Sequence, residues 1–291
     1  MAVRTASTCY TTLEDILSSY SRTAILVIAF CSLFAGVSPV AAQEDEDAAV
    51  ISPAQPDFTL VSLPTRLRLP LHESAFRVTH RFLRPLGQGD FGDLAADAFG
   101  LDAGAQIGLE LRYGLFPNTQ IGVHRTSDKT IEFFTEYDLY RQSGSMPVGL
   151  AVWGSVDGTN NFKDSYSPAL GGIVSRLVGQ YAAFYAQPIW VNNTSPDPAD
   201  LVDENDTFIL GLGTRVRVRP TVYVVGEWVP RAGGFDPGVD HGSFAIEKRL
   251  GGHVFQLNFS NSFGTTMGQI ARGGFNNDNW YLGFNISRKF Y

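Results

Sequence analysis

The sequence has only two cysteines, Cys9 and Cys31, and both lie within the first 42 residues. That stretch, 1–42, has the features of a secretory signal peptide: two arginines, then an apolar run at 24–37, then small residues at 40–42 that suit cleavage. The mature chain is therefore expected to have no disulfide, no thiolate metal site and no cysteine nucleophile. Its stability must come from packing and hydrogen bonding alone.

Long hydrophobic runs are missing from the remainder of the chain. The run in the leader ends before Pro39 and is shorter than the roughly 20 residues that a membrane-spanning helix needs. No later segment approaches that length. The sequence thus predicts no transmembrane helix.

Positive charge is in deficit, with 22 Lys and Arg against 29 Asp and Glu. A nucleic-acid-binding surface needs an excess of positive charge, so we expect no nucleic-acid partner. Residues 43–70 begin with an acidic run at 44–47, contain four prolines and lack a periodic apolar pattern. These features predict an acidic tether in the periplasm that precedes the folded domain, 71–291.

Metal-ligand spacings are absent as well. The five histidines, His72, His80, His124, His241 and His253, include no pair spaced to bind a metal from one strand or helix. We expect no metal and no cofactor.

Alternation of apolar and polar residues is abundant from residue 71 onward. At the end of the chain, Trp280, Leu282 and Phe284 lie on one face of a strand and Tyr281, Gly283 on the other. Period-two segments of this kind, bounded by turn residues, predict twelve strands. They are 71–84, 104–116, 118–126, 130–141, 147–157, 167–178, 181–192, 207–219, 221–230, 241–250, 253–263 and 279–291.

The connections between these strands alternate in length. Long ones, such as 85–103 and 264–278, alternate with tight ones, such as 117–118 and 251–252. Short periplasmic turns and longer extracellular loops are typical of outer-membrane barrels. We therefore predict a twelve-stranded antiparallel transmembrane up-and-down β-barrel of the all-β class, with a soluble β-sandwich as the competing interpretation.

Charged residues occupy one face of the predicted strands, and a charge on the lipid face is costly, so this face must be the lumen. The lumen and constriction candidates are Arg77, Arg81, Glu110, Arg112, Glu132, Glu136, Asp138, Arg215, Arg217, Glu227, Glu247 and Arg249. If the two signs pair, they block the lumen; if they segregate, they create a field across a small pore. We favour the pore, because glycines such as Gly108, Gly114, Gly122, Gly211, Gly213 and Gly283 leave room in the lumen.

Aromatic residues gather at the predicted strand ends, as expected for the two membrane interfaces. The interface candidates are Trp190, Trp228, Trp280, Tyr113, Tyr140 and Tyr223. The final strand also predicts the signal that the barrel-assembly machinery reads. That signal comprises Trp280, Leu282, Phe284, Ile286, Phe290 and Tyr291, with Tyr291 either overhanging or shifting the register by one residue.

An acyl hydrolase on the barrel wall is a further alternative, because a twelve-stranded outer-membrane phospholipase uses a Ser-His-Asn arrangement. It would require His124 beside a serine such as Ser155 or Ser175, and β-strand separation argues against that contact. We expect no enzymatic activity and assign no catalytic residue.

Several motifs resemble a family of exported barrels known only as a domain of unknown function. They are residues 79–82 (THRF), 100–105 (GLDAGA), 108–115 (GLELRYGL), 121–125 (IGVHR), 129–130 (KT), 140–142 (YRQ) and 285–290 (NISRKF). The resemblance covers most of the chain after residue 64 and implies an outer-membrane barrel, as in Bacteroidetes-like bacteria. It implies no activity.

Together these patterns predict a narrow passive channel for small polar or charged solutes in the Gram-negative outer membrane. The expected partners are outer-membrane lipid and lipopolysaccharide, the barrel-assembly machinery and the solutes. A sealed barrel that acts as an anchor or assembly partner is the main alternative. The sequence leaves the solute and the oligomeric state open.

Overall fold

Twelve antiparallel strands form a closed β-barrel in the computed structural model, which describes residues 52–195, 205–233, 238–274 and 278–290. The fold class predicted from the alternation is confirmed. The strands are β1 (Ser74–Pro85), β2 (Ala105–Phe116), β3 (Thr119–Thr126), β4 (Ile131–Tyr140), β5 (Gly149–Gly158), β6 (Asp164–Val178), β7 (Ala182–Val191), β8 (Thr207–Arg219), β9 (Val222–Val229), β10 (His241–Leu250), β11 (His253–Ser260) and β12 (Tyr281–Phe290).

Each strand pairs with its neighbours in sequence, and β1 pairs with β12 to close the barrel. That closing register runs from Ser74 opposite Phe290 to Arg81 opposite Gly283. A short strand after β9, Arg231–Gly233, extends the pairing with β8. Closure matters because every strand then has two partners and no edge is left to lipid.

The two ends of the barrel differ in the length of their connections. Short turns such as 117–118 and 251–252 join strands at one end, which we call the short-turn end. At the other, the long-loop end, residues 86–104 contain α1 (Phe91–Ala96) and a 3-10 turn (Ala98–Gly100), and residues 261–280 contain α2 (Met267–Ala271). Among the described residues, no helix is long and apolar enough to cross a membrane.

One predicted long loop is shorter than expected. Residues 157–167 were expected to connect β5 and β6, but the ladder continues from Asp157, opposite Ser167, to an isolated bridge between Thr159 and Asp164. Only residues 159–163, which include the turn Thr159–Phe162, remain outside the strands.

Exposure alternates along the strands as the sequence pattern predicts. In β2, Leu109 is 49% exposed while the adjacent Glu110 is 3% exposed. In β12, Leu282, Phe284, Ile286 and Phe290 lie on the outward face, and Tyr291 lies outside the described residues.

Residues 52–70 do not form a tether in the periplasm. Most of the segment from Ala54 to Leu69 is buried, and its partners are inward-facing side chains of the barrel. The prediction is therefore wrong for this part of 43–70, while residues 43–51 lie outside the described residues. Prolines and a lack of periodicity distinguish an irregular segment from a strand, but they do not distinguish a solvated segment from one enclosed by polar side chains.

Candidate functional site

Residues 58–65 form a β-hairpin inside the barrel, which we call the lumenal hairpin. The Leu60 N–H donates to the Leu63 carbonyl and the Thr65 N–H donates to the Phe58 carbonyl, both at 2.8 Å. Val61 and Ser62 are at its tip. The segment therefore reaches into the lumen, reverses direction and returns.

Both ends of this segment lie at the short-turn end of the barrel. On one side, the His72 N–H donates to the Gly114 carbonyl at 2.8 Å, close to the turn between β2 and β3. On the other side, Lys289, near the end of β12, donates from Nζ to the Pro56 carbonyl. The chain enters and leaves through one opening, so the hairpin is not threaded through the barrel.

The carboxylate of Glu227 holds the tip of the hairpin. Its Oε1 accepts hydrogen bonds from the backbone N–H groups of Val61, Ser62 and Leu63 at 2.7, 2.9 and 2.9 Å. The hydroxyl of Ser243 donates to Oε2 at 2.8 Å. Hydrogen bonds to an ionised acceptor are stronger than neutral ones, which makes this the strongest point of attachment at the tip.

Inward-facing side chains from several strands donate to the carbonyls of the same segment. The contacts are Gln187 to Pro64 (2.7 Å), Gln256 to Leu60 (2.9 Å), Asn285 to Val61 (2.9 Å), Arg215 to Thr59 (2.6 Å) and Gln120 to Leu67 (3.0 Å). Since backbone groups are the partners, these bonds depend little on the side chains of the hairpin.

Leucines of the hairpin occupy the space beside two lumen glycines. A Cβ added at Gly211 would lie 3.0 Å from Leu63 Cδ1, and one at Gly213 would overlap Leu60 Cδ1. Gly122 likewise faces the ring of Phe134. The expectation that lumen glycines leave room for a pore is therefore wrong in this conformation, because neighbouring side chains fill that room.

Ten of the twelve predicted lumen charges are buried inside the barrel. They are Arg77, Arg81, Glu110, Arg112, Glu132, Glu136, Asp138, Arg215, Glu227 and Glu247. The other two, Arg217 and Arg249, are half-buried near the short-turn end, where Arg217 donates to Gln180 Oε1 at 3.0 Å and to the Pro220 carbonyl.

The lumen charges pair rather than segregate. Arg77 and Glu110 form an ion pair at 2.6 Å, and Arg215 and Glu247 form one at 2.7 Å. Arg112 also bonds to Glu110. Of the two arrangements that the sequence left open, this is the one that fills the lumen.

One wall of the lumen is apolar. Trp153 stacks on Phe134 at 4.7 Å between ring centroids, and the guanidinium of Arg112 lies over the Phe134 ring at 4.6 Å. Ile173 and Tyr185 are buried in the same cluster, against Leu60 and Leu63. The charge pattern does not reveal this wall, but the inward parity of β5 is a sequence signal that places Trp153 there.

A second element closes the lumen at the long-loop end. All five residues of α2 are buried, and the preceding Thr266 caps the helix. Asp157 accepts a hydrogen bond from Thr266 Oγ1 at 2.6 Å and one from the Gly268 N–H at 3.1 Å. Glu132 accepts from the Met267 N–H at 3.1 Å. Two lumen carboxylates thus hold an outer loop inside the barrel, an arrangement that the alternation of residues does not predict.

Between the lumenal hairpin and α2 there is a cavity of about 10 Å³. Ser62 lines it from the hairpin, Met267 and Ile270 from α2, and Arg77 and His124 from the wall. That volume holds about one water molecule. The hairpin and α2 therefore leave almost no space between them.

Five of the six predicted interface aromatics lie on the outside of the strands or at their ends. Trp190 and Trp228 point outward near the long-loop end and Tyr113 and Tyr140 near the short-turn end, while Trp280 is half-buried just before β12. The assignment of Tyr223 is wrong: it is fully buried. It lies four residues before Glu227 on β9, so the period of two directs both side chains inward.

The structure separates the residues that a hydrolase would need. His124 on β3 has its Nδ1 3.9 Å from Glu132 Oε2, and Ser155 lies on β5, beyond β4. Ser175 accepts a hydrogen bond from Arg66 Nε at 3.1 Å. Neither serine is placed beside His124. Among the described residues there is also no group of three or more His, Cys, Asp or Glu positioned to bind a metal.

A family model described as a membrane bound beta barrel domain (DUF5777) matches residues 58–290. The chain belongs to this family. It is an uncharacterised family of outer-membrane barrels, as the resemblance of the motifs predicts. The match includes both the hairpin and the barrel, so the lumenal segment is part of the family domain.

Several solved barrels are similar to the chain at low identity. NanC porin is 7% identical over 75% of this chain and 99% of its own, with a TM-score of 0.49. Omp33 of Acinetobacter baumannii is 9% identical over 75% and 98%, with a TM-score of 0.41, and outer membrane phospholipase A of Escherichia coli is 10% identical over 75% and 90%, with a TM-score of 0.40. At these values the similarities say nothing about transport or catalysis here. No curated protein matches the chain.

Proposed function

We propose that this protein is an outer-membrane channel for small polar solutes whose own lumenal hairpin keeps it closed. The observation that carries the proposal is the way the hairpin is held. Glu227 binds backbone N–H groups and a ring of lumen side chains binds backbone carbonyls, so water can replace each of these partners when the hairpin leaves. The single opening through which the segment enters and leaves provides the route for that movement.

A polar wall would line the lumen after such a movement. Two ion pairs would remain on the wall, Arg77 with Glu110 and Arg215 with Glu247. The side-chain amide of Gln256 lies beside the second pair. Paired charges of both signs favour hydrated polar solutes over ions of one sign. Passage also requires α2 to move from the long-loop end, since it fills the lumen beyond the hairpin.

The alternative of a sealed barrel is favoured by one observation, the burial of these ion pairs together with two closing segments. In that case the hairpin would serve as a core for the barrel, and the protein would act as an anchor or assembly partner. The alternatives differ in one property, namely whether the hairpin leaves the lumen.

A reversible cross-link tests this difference in the full mature chain. Leu60→Cys with Gly213→Cys introduces the only two thiols, at positions whose side-chain space overlaps and which are therefore within reach of a disulfide. Each form is placed in a planar bilayer and its current recorded. Discrete steps in the reduced protein that disappear on oxidation are expected. A silent bilayer for both forms and for the unsubstituted chain, with folding verified by circular dichroism and insertion by protease protection in vesicles, would establish the sealed barrel instead.

A further inference from the structure

The loop between β1 and β2, residues 86–104, lies against the outward face of the barrel wall. Phe82 is on that face: its ring is 4.5 Å from that of His80, which stacks on the outward-facing Phe284 at 4.6 Å. Phe82 is nevertheless only 6% exposed, whereas Leu109 on the same face of β2 is 49% exposed. Something other than lipid therefore covers Phe82.

Gly100 in the loop provides that cover. It has φ +93, and a Cβ added there would lie 3.6 Å from the Cβ of Phe82 and 3.3 Å from that of Arg84. Arg84, on β1, binds the loop through an ion pair with Asp97 at 3.0 Å and a hydrogen bond to the Gln88 carbonyl at 2.9 Å. These contacts hold the loop on the wall rather than above the lumen.

The loop presents apolar side chains away from the wall. Phe91 is 75% exposed, and its ring is 6.2 Å from that of Phe99, which is exposed as well. Leu101 is also exposed. We call these three residues the outer apolar patch. Such contiguous apolar surface marks a contact with a membrane or a partner.

The position of the patch identifies the membrane as its partner. Ile107, on the strand that follows the loop, is exposed, shares the outward parity of Leu109 and belongs to the lipid-facing surface beside the loop. The Leu86 N–H donates to the Trp280 carbonyl at 2.7 Å, so the loop begins at the level of a predicted interface aromatic. We infer that the outer apolar patch lies in the outer leaflet and contacts lipid acyl chains, which anchors this loop on the membrane.

Collision rates at a spin label test this placement in the mature protein inserted into lipid vesicles. Phe91→Cys gives a single labelling site, because both native cysteines lie in the leader. Leu109→Cys, on the lipid-facing side of β2, and Ser145→Cys, in an exposed turn at the other end, provide the lipid and water references. Oxygen partitions into lipid and a charged nickel chelate stays in water, so their ratio reports the surroundings of the label.

The label at Phe91 is expected to match the oxygen-to-nickel ratio of Leu109 and to exceed that of Ser145 several-fold. A ratio equal to that of Ser145 would place the patch in water and overturn the inference. Low collision rates with both oxygen and the nickel chelate would also overturn it, since that result indicates a protein partner or a second copy of this chain. Leu101→Cys, labelled in the same way, guards against a local disturbance at Phe91. None of these results depends on whether the lumen conducts.

Discussion

Glu227 and Ser62 are joined by two hydrogen bonds, from the Ser62 N–H to Oε1 at 2.9 Å and to Oε2 at 3.1 Å. The two residues are 165 positions apart in the sequence. Their contact connects the tip of the lumenal hairpin with the middle of the barrel wall. Loosening this contact should loosen the hairpin before it affects the barrel.

Glu227→Gln keeps the size of the side chain but replaces one of the acceptor oxygens with a donor that faces backbone N–H groups. We expect the closed state to lose about 2 kcal/mol, or roughly thirtyfold in the closed-to-open ratio. The measurement is the maleimide labelling rate of Leu63→Cys, the only thiol in the mature chain. Ser243→Ala, which removes a single hydrogen bond and leaves the carboxylate and its backbone partners in place, should have a smaller effect. Equal labelling rates in all three backgrounds would show that Glu227 does not retain the hairpin.

Gly213→Ala should displace the hairpin because the new methyl group would occupy the position of Leu60 Cδ1. Overpacking of this kind costs about 1 to 3 kcal/mol. Gly226→Ala on the adjacent strand is the matched control, since its Cβ would meet nothing closer than Thr214 Cγ2 at 3.8 Å. Proteolysis of the segment before β1 by a protease added at the short-turn side should accelerate for Gly213→Ala only. Similar cleavage of both variants would contradict the packing argument.

Arg215→Met should destabilise the whole barrel, because it leaves the carboxylate of Glu247 buried without its ion partner. Removing one member of a buried pair costs about 3 to 5 kcal/mol. Urea unfolding in detergent micelles measures this change. The double variant Arg215→Met with Glu247→Leu removes both charges and should recover most of the loss. A single variant as stable as the unsubstituted protein would mean that the pair contributes little.

Deletion of Phe290 and Tyr291 should impair insertion into the outer membrane. Phe290 is the outward aromatic at the end of β12 and pairs with Ser74 at the start of β1. Its loss removes both a closing contact and a residue of the predicted assembly signal. Protease-resistant barrel in isolated outer membranes is the quantity to compare, with Phe290→Tyr as the conservative control. Normal amounts of the truncated protein would refute the prediction.

The strands could be predicted from the sequence because lipid imposes a strict rule on them. A side chain that faces lipid must be apolar, whereas one that faces the lumen can be polar or charged, so apolar and polar residues alternate along each strand. The predicted bounds of β8 and β10 therefore agree with the structure. The same rule placed Glu110 and Arg215 inside. Residue type alone could not place Tyr223, because a tyrosine suits either face, whereas its parity with Glu227 on the same strand does.

The contents of the lumen could not be predicted in the same way. Arg77 lies directly opposite Glu110 on the adjacent strand, so the strand register allows that pair to be anticipated. Arg215 and Glu247 lie on β8 and β10, with β9 between them, and meet only because the barrel curves. The hairpin has no periodic pattern, and its partners come from strands far apart in the sequence.

The lumenal hairpin and the residue before it, Asp57, contact both strands that close the barrel. Arg77 of β1 donates to Thr59 Oγ1 at 2.8 Å, and Ser287 of β12 donates to Asp57 Oδ2 at 2.6 Å. The seam between the first and last strands is the one junction whose strands come from opposite ends of the domain. Asp57 and Thr59 bridge it from within, so this part of the chain connects the two closing strands across the seam. Lateral separation of β1 from β12 therefore requires the hairpin to leave first.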